Sequence, residues 1–222
     1  MGSFFELAGR MTELLYVMPA VLVALVAHEW AHAYMAWRLG DPTAKWMGRL
    51  TLNPLKHLDP IGTLMMVVFR FGWAKPVPIN PRYFKKPRRD DFLVSIAGIS
   101  MNFILFFVSI MLYFSLYVFA GIREGAYVMA FLHIFAVVNA GLMIFNLLPV
   151  PPLDGFHVMN TLVLRQRSLY LDRQQMMMGS LVLVLAIASG VTSMLLGKGI
   201  DALRAWAEFV FNGIVRIIAW IV

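Results

Sequence analysis

The sequence predicts an all-α, multi-pass membrane protein, with about four to six membrane helices and a small β or re-entrant element after the first. Three observations lead there. The chain of 222 residues is 60% hydrophobic and 14% charged, with a mean hydropathy of +0.74, a balance foreign to soluble domains. Apolar runs at 14–39, 92–120, 127–148 and 176–196, with a more ambiguous one at 200–222, approach or exceed the roughly 20 residues that cross a bilayer. The charges between the runs are unevenly signed: the net charge is +7, and basic residues crowd the short loops. No repeat, low-complexity tract or long linker divides the chain, so 1–222 reads as one membrane domain, with a core over about 14–160 and C-terminal helices over 176–222.

The first run, 14–39, is too long and too polar for a cleavable signal and is expected to stay as a helix. Its inner half carries His28-Glu29-Trp30-Ala31-His32. Strongly polar groups in hydrocarbon cost about 2.5 kcal/mol or more each. His28 and His32 lie four apart, which puts both imidazoles on one helix face, where they can hold one metal ion. Glu29 is rotated by about 100° and can reach the open side of that metal without ligating it. This is the pattern of a zinc hydrolase inside a membrane. Cysteine is absent, so the available zinc ligands are His, Asp and Glu.

After the first run, Lys45–Leu52 alternates loosely, and Trp73–Ile79 is extended by Pro76 and Pro78, so a small β element is expected beside the active helix. Its exposed edge, Arg49-Leu50-Thr51, would receive an unwound substrate by strand addition. The segment 58–72 is short and punctuated by Asp59, Pro60, Gly62 and Arg70, and reads as re-entrant or surface-lying. Lys75, Arg82, Lys85, Lys86, Arg88 and Arg89 precede the 92–120 run, and Arg165, Arg167 and Arg173 precede 176–196. Positive loops stay in the cytoplasm. That places the N-terminus outside and the histidines in the cytoplasmic half of the membrane. Nucleic acid is excluded as a partner, because no aromatic platform or groove-reading element accompanies these charges.

A catalytic zinc takes three protein ligands and keeps a fourth position for water. Near the apolar runs the candidates for the third are Asp154, His133 and His157. Asp154 follows Pro149, Pro151 and Pro152, which must break the helix and leave carbonyls that need a polar cavity. His133 reads as a packing residue, His57 as part of a polar turn, and Met176-Met177-Met178 as lipid-facing or gap-filling packing. In the last run Asp201, Arg204, Glu208, Asn212 and Arg216 recur at three- and four-residue steps, which fits an interfacial amphipathic helix or a tilted span with a polar stripe.

HEWAH on the first core helix, Ala97-Gly98 leading to Asn102, and Asn146-Leu147-Leu148-Pro149 through Leu153-Asp154-Gly155 together resemble the site-2 protease family of intramembrane zinc metalloproteases. The resemblance covers roughly residues 14 to 160. Gly40-Asp41-Pro42-Thr43-Ala44 and Gly48-Arg49-Leu50-Thr51-Leu52-Asn53-Pro54 are similar to its compact bacterial branch, which lacks appended regulatory domains. The resemblance implies one Zn2+ per chain, held by His28, His32 and Asp154, with Glu29 as general base. Asn146 would steady the scissile carbonyl, with Asn102 a second candidate for contact there. It also implies membrane-protein substrates cut within the lipid bilayer of the cell (inner) membrane. One departure is visible: Ile99 stands after Ala97-Gly98 where the family pattern leads one to expect proline. The rival readings are a metal-ion transporter and a non-catalytic zinc-binding membrane chaperone. Neither substrate, oligomer nor regulatory partner is written in the residues.

Overall fold

The computed structural model describes residues 2–69, 74–123, 125–164 and 173–221. They form helices without a β-strand. The first helix, α1 (Gly2–Arg38), carries an apolar stretch, Leu15–Arg38, long enough to cross a bilayer. Ala20, Ala24, Ala31, Ala33 and Ala36 are buried along it. Apolar side chains gain little by leaving lipid for protein, so helices there associate through close packing, which small residues permit. Gly40, at φ +108, ends α1 with Asp41 N–H returning to the Ala36 carbonyl at 2.9 Å.

The connection from α1 to the next long helix is a folded cap of short pieces. α2 (Thr43–Trp46) is followed by Gly48 at φ +65, which turns the chain, and Pro54 opens a 3-10 turn. The edge strand expected over 46–52 therefore does not form: Met47 and Arg49 amides are drawn to the Thr43 and Ala44 carbonyls (3.1 and 2.8 Å). Leu50 and Thr51 lie in bends instead, and Arg49 is irregular. The β element shrinks to one antiparallel bridge, Leu58 with Ala74. α3 (Pro60–Phe69) has 10 residues, about 15 Å of helix, half a bilayer, as expected of a piece that does not cross. Residues 70–72 of that segment lie outside the described residues.

Ala74–Asn80 then runs extended across α1. Asp41, fully buried, anchors its far end, accepting the Asn80 amide at 2.6 Å and the Thr43 amide at 2.9 Å. The Lys75 amide donates to the His57 carbonyl (2.8 Å), and His57 itself, 1% exposed, bonds the Thr51 carbonyl through Nε2 (2.8 Å), the structural role its polar turn suggested.

α4 (Pro87–Val118) and α5 (Tyr127–Asn146) are the second and third helices of spanning length. Both pack on α1 and on each other. α5 ends at Leu147, the three prolines follow, and α6 (Asp154–Met159) starts at the aspartate and runs into a π-helical turn, Asn160–Leu164. α7 (Arg173–Ala188) and α8 (Val191–Ile221) meet at an angle of 74°. The break expected between 196 and 200 falls at Ser189-Gly190, where Gly190 takes φ +77, while Gly197 and Gly199 continue α8. A Cβ on Gly199 would approach Ile144 Cδ1 to 2.7 Å, so glycine there lets α8 lie close to α5. Ala207 of α8 joins Phe106, Ile110, Ala136 and Ala140 in the main apolar cluster. Asp201, Arg204 and Arg216 face outward, and Arg204 pairs with Glu208 at 3.1 Å. Among the described residues, three helices are able to span, or four if the bent α7–α8 pair counts as one.

Candidate metal centre

His28 and His32, 5% and 6% exposed, project from α1 toward α4 and α6. Their protonation is fixed from behind. The Phe135 carbonyl can only accept, so Asn139 must point its amide nitrogen there (2.8 Å). Asn139 Oδ1 then accepts from Asn102 Nδ2 (3.0 Å), which also lies 3.4 Å from the Ala24 carbonyl. Asn102 Oδ1 is left to accept the Nδ1–H of His28 at 2.7 Å. His32 donates its Nδ1–H to the Val94 carbonyl at 2.8 Å. Both Nε2 lone pairs therefore face inward, as metal-binding histidines require.

Those Nε2 atoms lie 2.9 Å apart, and Asp154 Oδ2 sits 3.3 Å from that of His28 and 3.2 Å from that of His32. Asp154 Oδ2 is buried and has no hydrogen-bond partner. Two lone pairs and a carboxylate oxygen crowded together without a proton between them would be strongly unfavourable. A cation relieves all three at once. Tetrahedral zinc with bonds of about 2.0–2.1 Å spaces its ligands about 3.3 Å apart, close to this triangle. Nitrogen and oxygen donors without thiolate suit the same ion. The residues present fit a metal.

Two glycines make the approach possible. A Cβ on Gly98 of α4 would collide with His32 Nε2 and come within 2.6 Å of His28 Cε1, so any side chain there would enter the space between the imidazoles. α4 runs unbroken through Ile99, the position where proline was expected. A Cβ on Gly155 would strike the Leu147 carbonyl, so the Asp-Gly turn is seated directly against the end of α5.

Glu29 stands beside the triangle, half-buried, and its Oε2 accepts the Val77 amide of the extended strap at 2.8 Å. Arg49, 6% exposed, donates to the Lys75 and Pro76 carbonyls of that strap, and Leu50 packs with Ala33, Ala44 and Val77. They brace the strap and present no free edge. Asn102 is fully buried behind His28. Asn146, at the last turn of α5, donates to the Leu142 carbonyl at 3.0 Å. His157 is paired with Asp91 (3.1 Å) and is not one of the three clustered groups. The hydrogen bond to Asp91 raises its pKa above the usual value, with the charges of Asp91 and Asp154 adding to this against the opposing effect of burial. His133 packs near the Tyr113 ring. Sequence reading missed Asn139, the Asp91–His157 pair and the Val77 amide. An asparagine in an apolar run was the one available signal for the first.

The fold and the site define a helical membrane protein built around a His–His–Asp cluster able to hold a metal ion. The family described as peptidase family M50 matches residues 118–188, which include α5 and the Asp154 turn. "Putative zinc metalloprotease YwhC" of Bacillus subtilis is 46% identical over 151 residues, 67% of this chain and 69% of that protein. Two proteins bearing the same designation with the name Rip2, from Mycobacterium tuberculosis and Mycolicibacterium smegmatis, are 34% and 32% identical over 143 residues. The alignment covers 61% of this chain but 52% of theirs, so the chain spans about half the length of the Rip2 proteins. No solved structure matches it. The chain belongs to peptidase family M50, the site-2 protease family, and its cofactor is Zn2+.

Proposed function

We propose that this chain is an intramembrane zinc endopeptidase that hydrolyses peptide bonds of transmembrane or membrane-associated proteins. One observation carries the reading: the unpartnered Oδ2 of Asp154 converging with two inward-facing Nε2 atoms, with the Glu29 carboxylate next along the same helix. His28, His32 and Asp154 hold one Zn2+ per chain. Bound there, zinc supplies Lewis-acid polarisation of a carbonyl and lowers the pKa of water to about 7. Glu29 accepts the proton that water gives up at its carboxylate and returns it to the leaving amine nitrogen. The Val77 amide, bonded to one carboxylate oxygen, orients the group so that the other is free to act. Asn146 gives up its bond to the Leu142 carbonyl and donates to the scissile carbonyl oxygen. Asn102 serves as a positioning residue behind His28.

The basic stretch before α4 supports an orientation with the N-terminus outside and the metal centre toward the cytoplasm, in the cell (inner) membrane. Water enters from that side, where the prolines interrupt the helix between α5 and α6.

The test is incubation of purified protein with single-span peptides, with and without a zinc chelator, alongside Glu29→Gln. Cleavage that requires zinc and Glu29, with zinc still bound in the variant, is expected. Zinc-dependent ion flux with no cleavage of any peptide would move the assignment to a transporter, and bound zinc with neither activity would move it to a chaperone.

A further inference from the structure

The ends of α1 and α4 enclose a cavity of about 240 Å3, lined in part by Arg38, Gly40, Lys85, Lys86, Arg89 and Asp90. Arg38, Lys85, Lys86 and Arg89 are exposed, and none of these four side chains forms an ion pair. The one carboxylate, Asp90, is 3% exposed and turned away to the backbone, its Oδ2 accepting the Lys86 amide at 2.9 Å in the first turn of α4. Four cations against one carboxylate leave a charge of 4 − 1 = +3 around one hollow. Like charges repel, and among the described residues no carboxylate pairs with them.

A topology signal needs positive charge near a helix end. It does not need two stretches 45 or more residues apart to wrap their cations around a common cavity. The position is telling too. Arg38 closes the Leu15–Arg38 span and Lys86 immediately precedes the Pro87–Val118 span, so the cavity lies at the boundary of the hydrocarbon. Exposed aromatics gather at the same end: Trp37, with Lys45 Nζ 4.8 Å from its ring centre, and Trp46, edge-on to Tyr83 at 6.1 Å. Aromatic rings and basic side chains at that depth are what meets lipid headgroups.

We propose that this cavity binds the phosphate of an anionic phospholipid headgroup, with Arg38, Lys85, Lys86 and Arg89 surrounding the oxyanion. The site is separate from the metal centre and does not depend on the protease reading.

The experiment uses the full chain in neutral detergent and measures binding of phosphatidylglycerol and phosphatidylcholine by native mass spectrometry. Wild type is compared with Lys85→Gln/Lys86→Gln/Arg89→Gln and with a charge-matched control, Arg123→Gln/Arg204→Gln/Arg216→Gln. Preferential retention of phosphatidylglycerol is expected, weakened roughly 10- to 100-fold in the first variant and little changed in the control. Inorganic phosphate is expected to displace the lipid. Equal retention of the two lipids, or equal weakening in both variants, overturns the proposal. Phosphate binding without phosphatidylglycerol binding also overturns it and leaves a site for soluble oxyanions. Should the first variant misfold, a photoactivatable phosphatidylglycerol on wild type decides: labelling concentrated within 38–40 and 85–90 supports the site, and labelling spread over all helix ends rejects it.

Discussion

His28 shows how much of a candidate metal centre lies behind its donor atoms. Its Nε2 points inward only because the Nδ1 proton is claimed by Asn102, which is oriented by Asn139 and ultimately by a carbonyl that can do nothing but accept. Replacing Asn102 with Leu is expected to lower zinc affinity about 10- to 100-fold, read by competition with a chromophoric chelator. An unchanged affinity would show that the tautomer needs no support. Gly98→Ala is expected to do more, abolishing stoichiometric zinc, since its methyl group would occupy the space between the imidazoles. Glu29→Gln separates chemistry from binding: cleavage is expected to fall by about 100-fold or more with zinc retained, while Asp154→Ala is expected to lose the metal. The convergence of the His28 and His32 imidazoles was legible in the sequence because an i, i+4 pair is a local fact of helical geometry. Asp154 was legible because proline dictates a break. Asn139 was not, since its meaning comes from a partner 37 residues away on another helix.

At the scale of elements, the strap Ala74–Asn80 and the short helix α6 position Glu29 and Asp154. Pro76 and Pro78 leave Val77 as the sole amide donor of that triplet, and it is spent on Glu29. Val77→Pro is expected to slow cleavage about tenfold or more with zinc content unchanged; a normal rate would mean that Glu29 needs no such orientation. α6 is tied to α4 by the His157–Asp91 pair. Because the folded-state pKa of His157 is raised, the stabilisation from its charged form is fully present below the ordinary value of 6.5 and is lost as pH rises through the higher folded value. Thermal stability of wild type should therefore fall over that window more than that of Asp91→Asn. The long helices were legible from hydropathy alone. The stretch Lys45–Leu52 was misread as strand because loose alternation over eight residues cannot outweigh two positive-φ glycines and a buried aspartate that fold it into turns.

For the whole molecule, the order of spans is the testable quantity. α4 separates Lys85 from Arg123, so single cysteines introduced at those positions in this cysteine-free chain are expected to label from opposite sides, position 85 from the cytoplasm. Labelling from one side would remove α4 as a span. Spanning lengths predicted about four to six crossings, but not the bend of α7 and α8 at Ser189-Gly190 that leaves three or four among the described residues. Substrate choice belongs at this scale as well. A peptide bond inside a helix is held by hydrogen bonds that lipid cannot replace, so Gly near the cut site, which weakens a helix by about 1 kcal/mol relative to Ala, should raise the rate. Equal rates for Ala and Gly peptides would place recognition elsewhere.

The asparagine relay has a consequence in time as well as in space. Phe135 and Asn139 belong to α5, Asn102 to α4 and His28 to α1, so the chain of donors closes only when three separately inserted helices stand in register. Until then His28 is free to turn its proton inward, and Asp154, which follows all three in the sequence, has no pair of lone pairs to join. The triangle of His28, His32 and Asp154 is thus the last feature of the molecule to be completed.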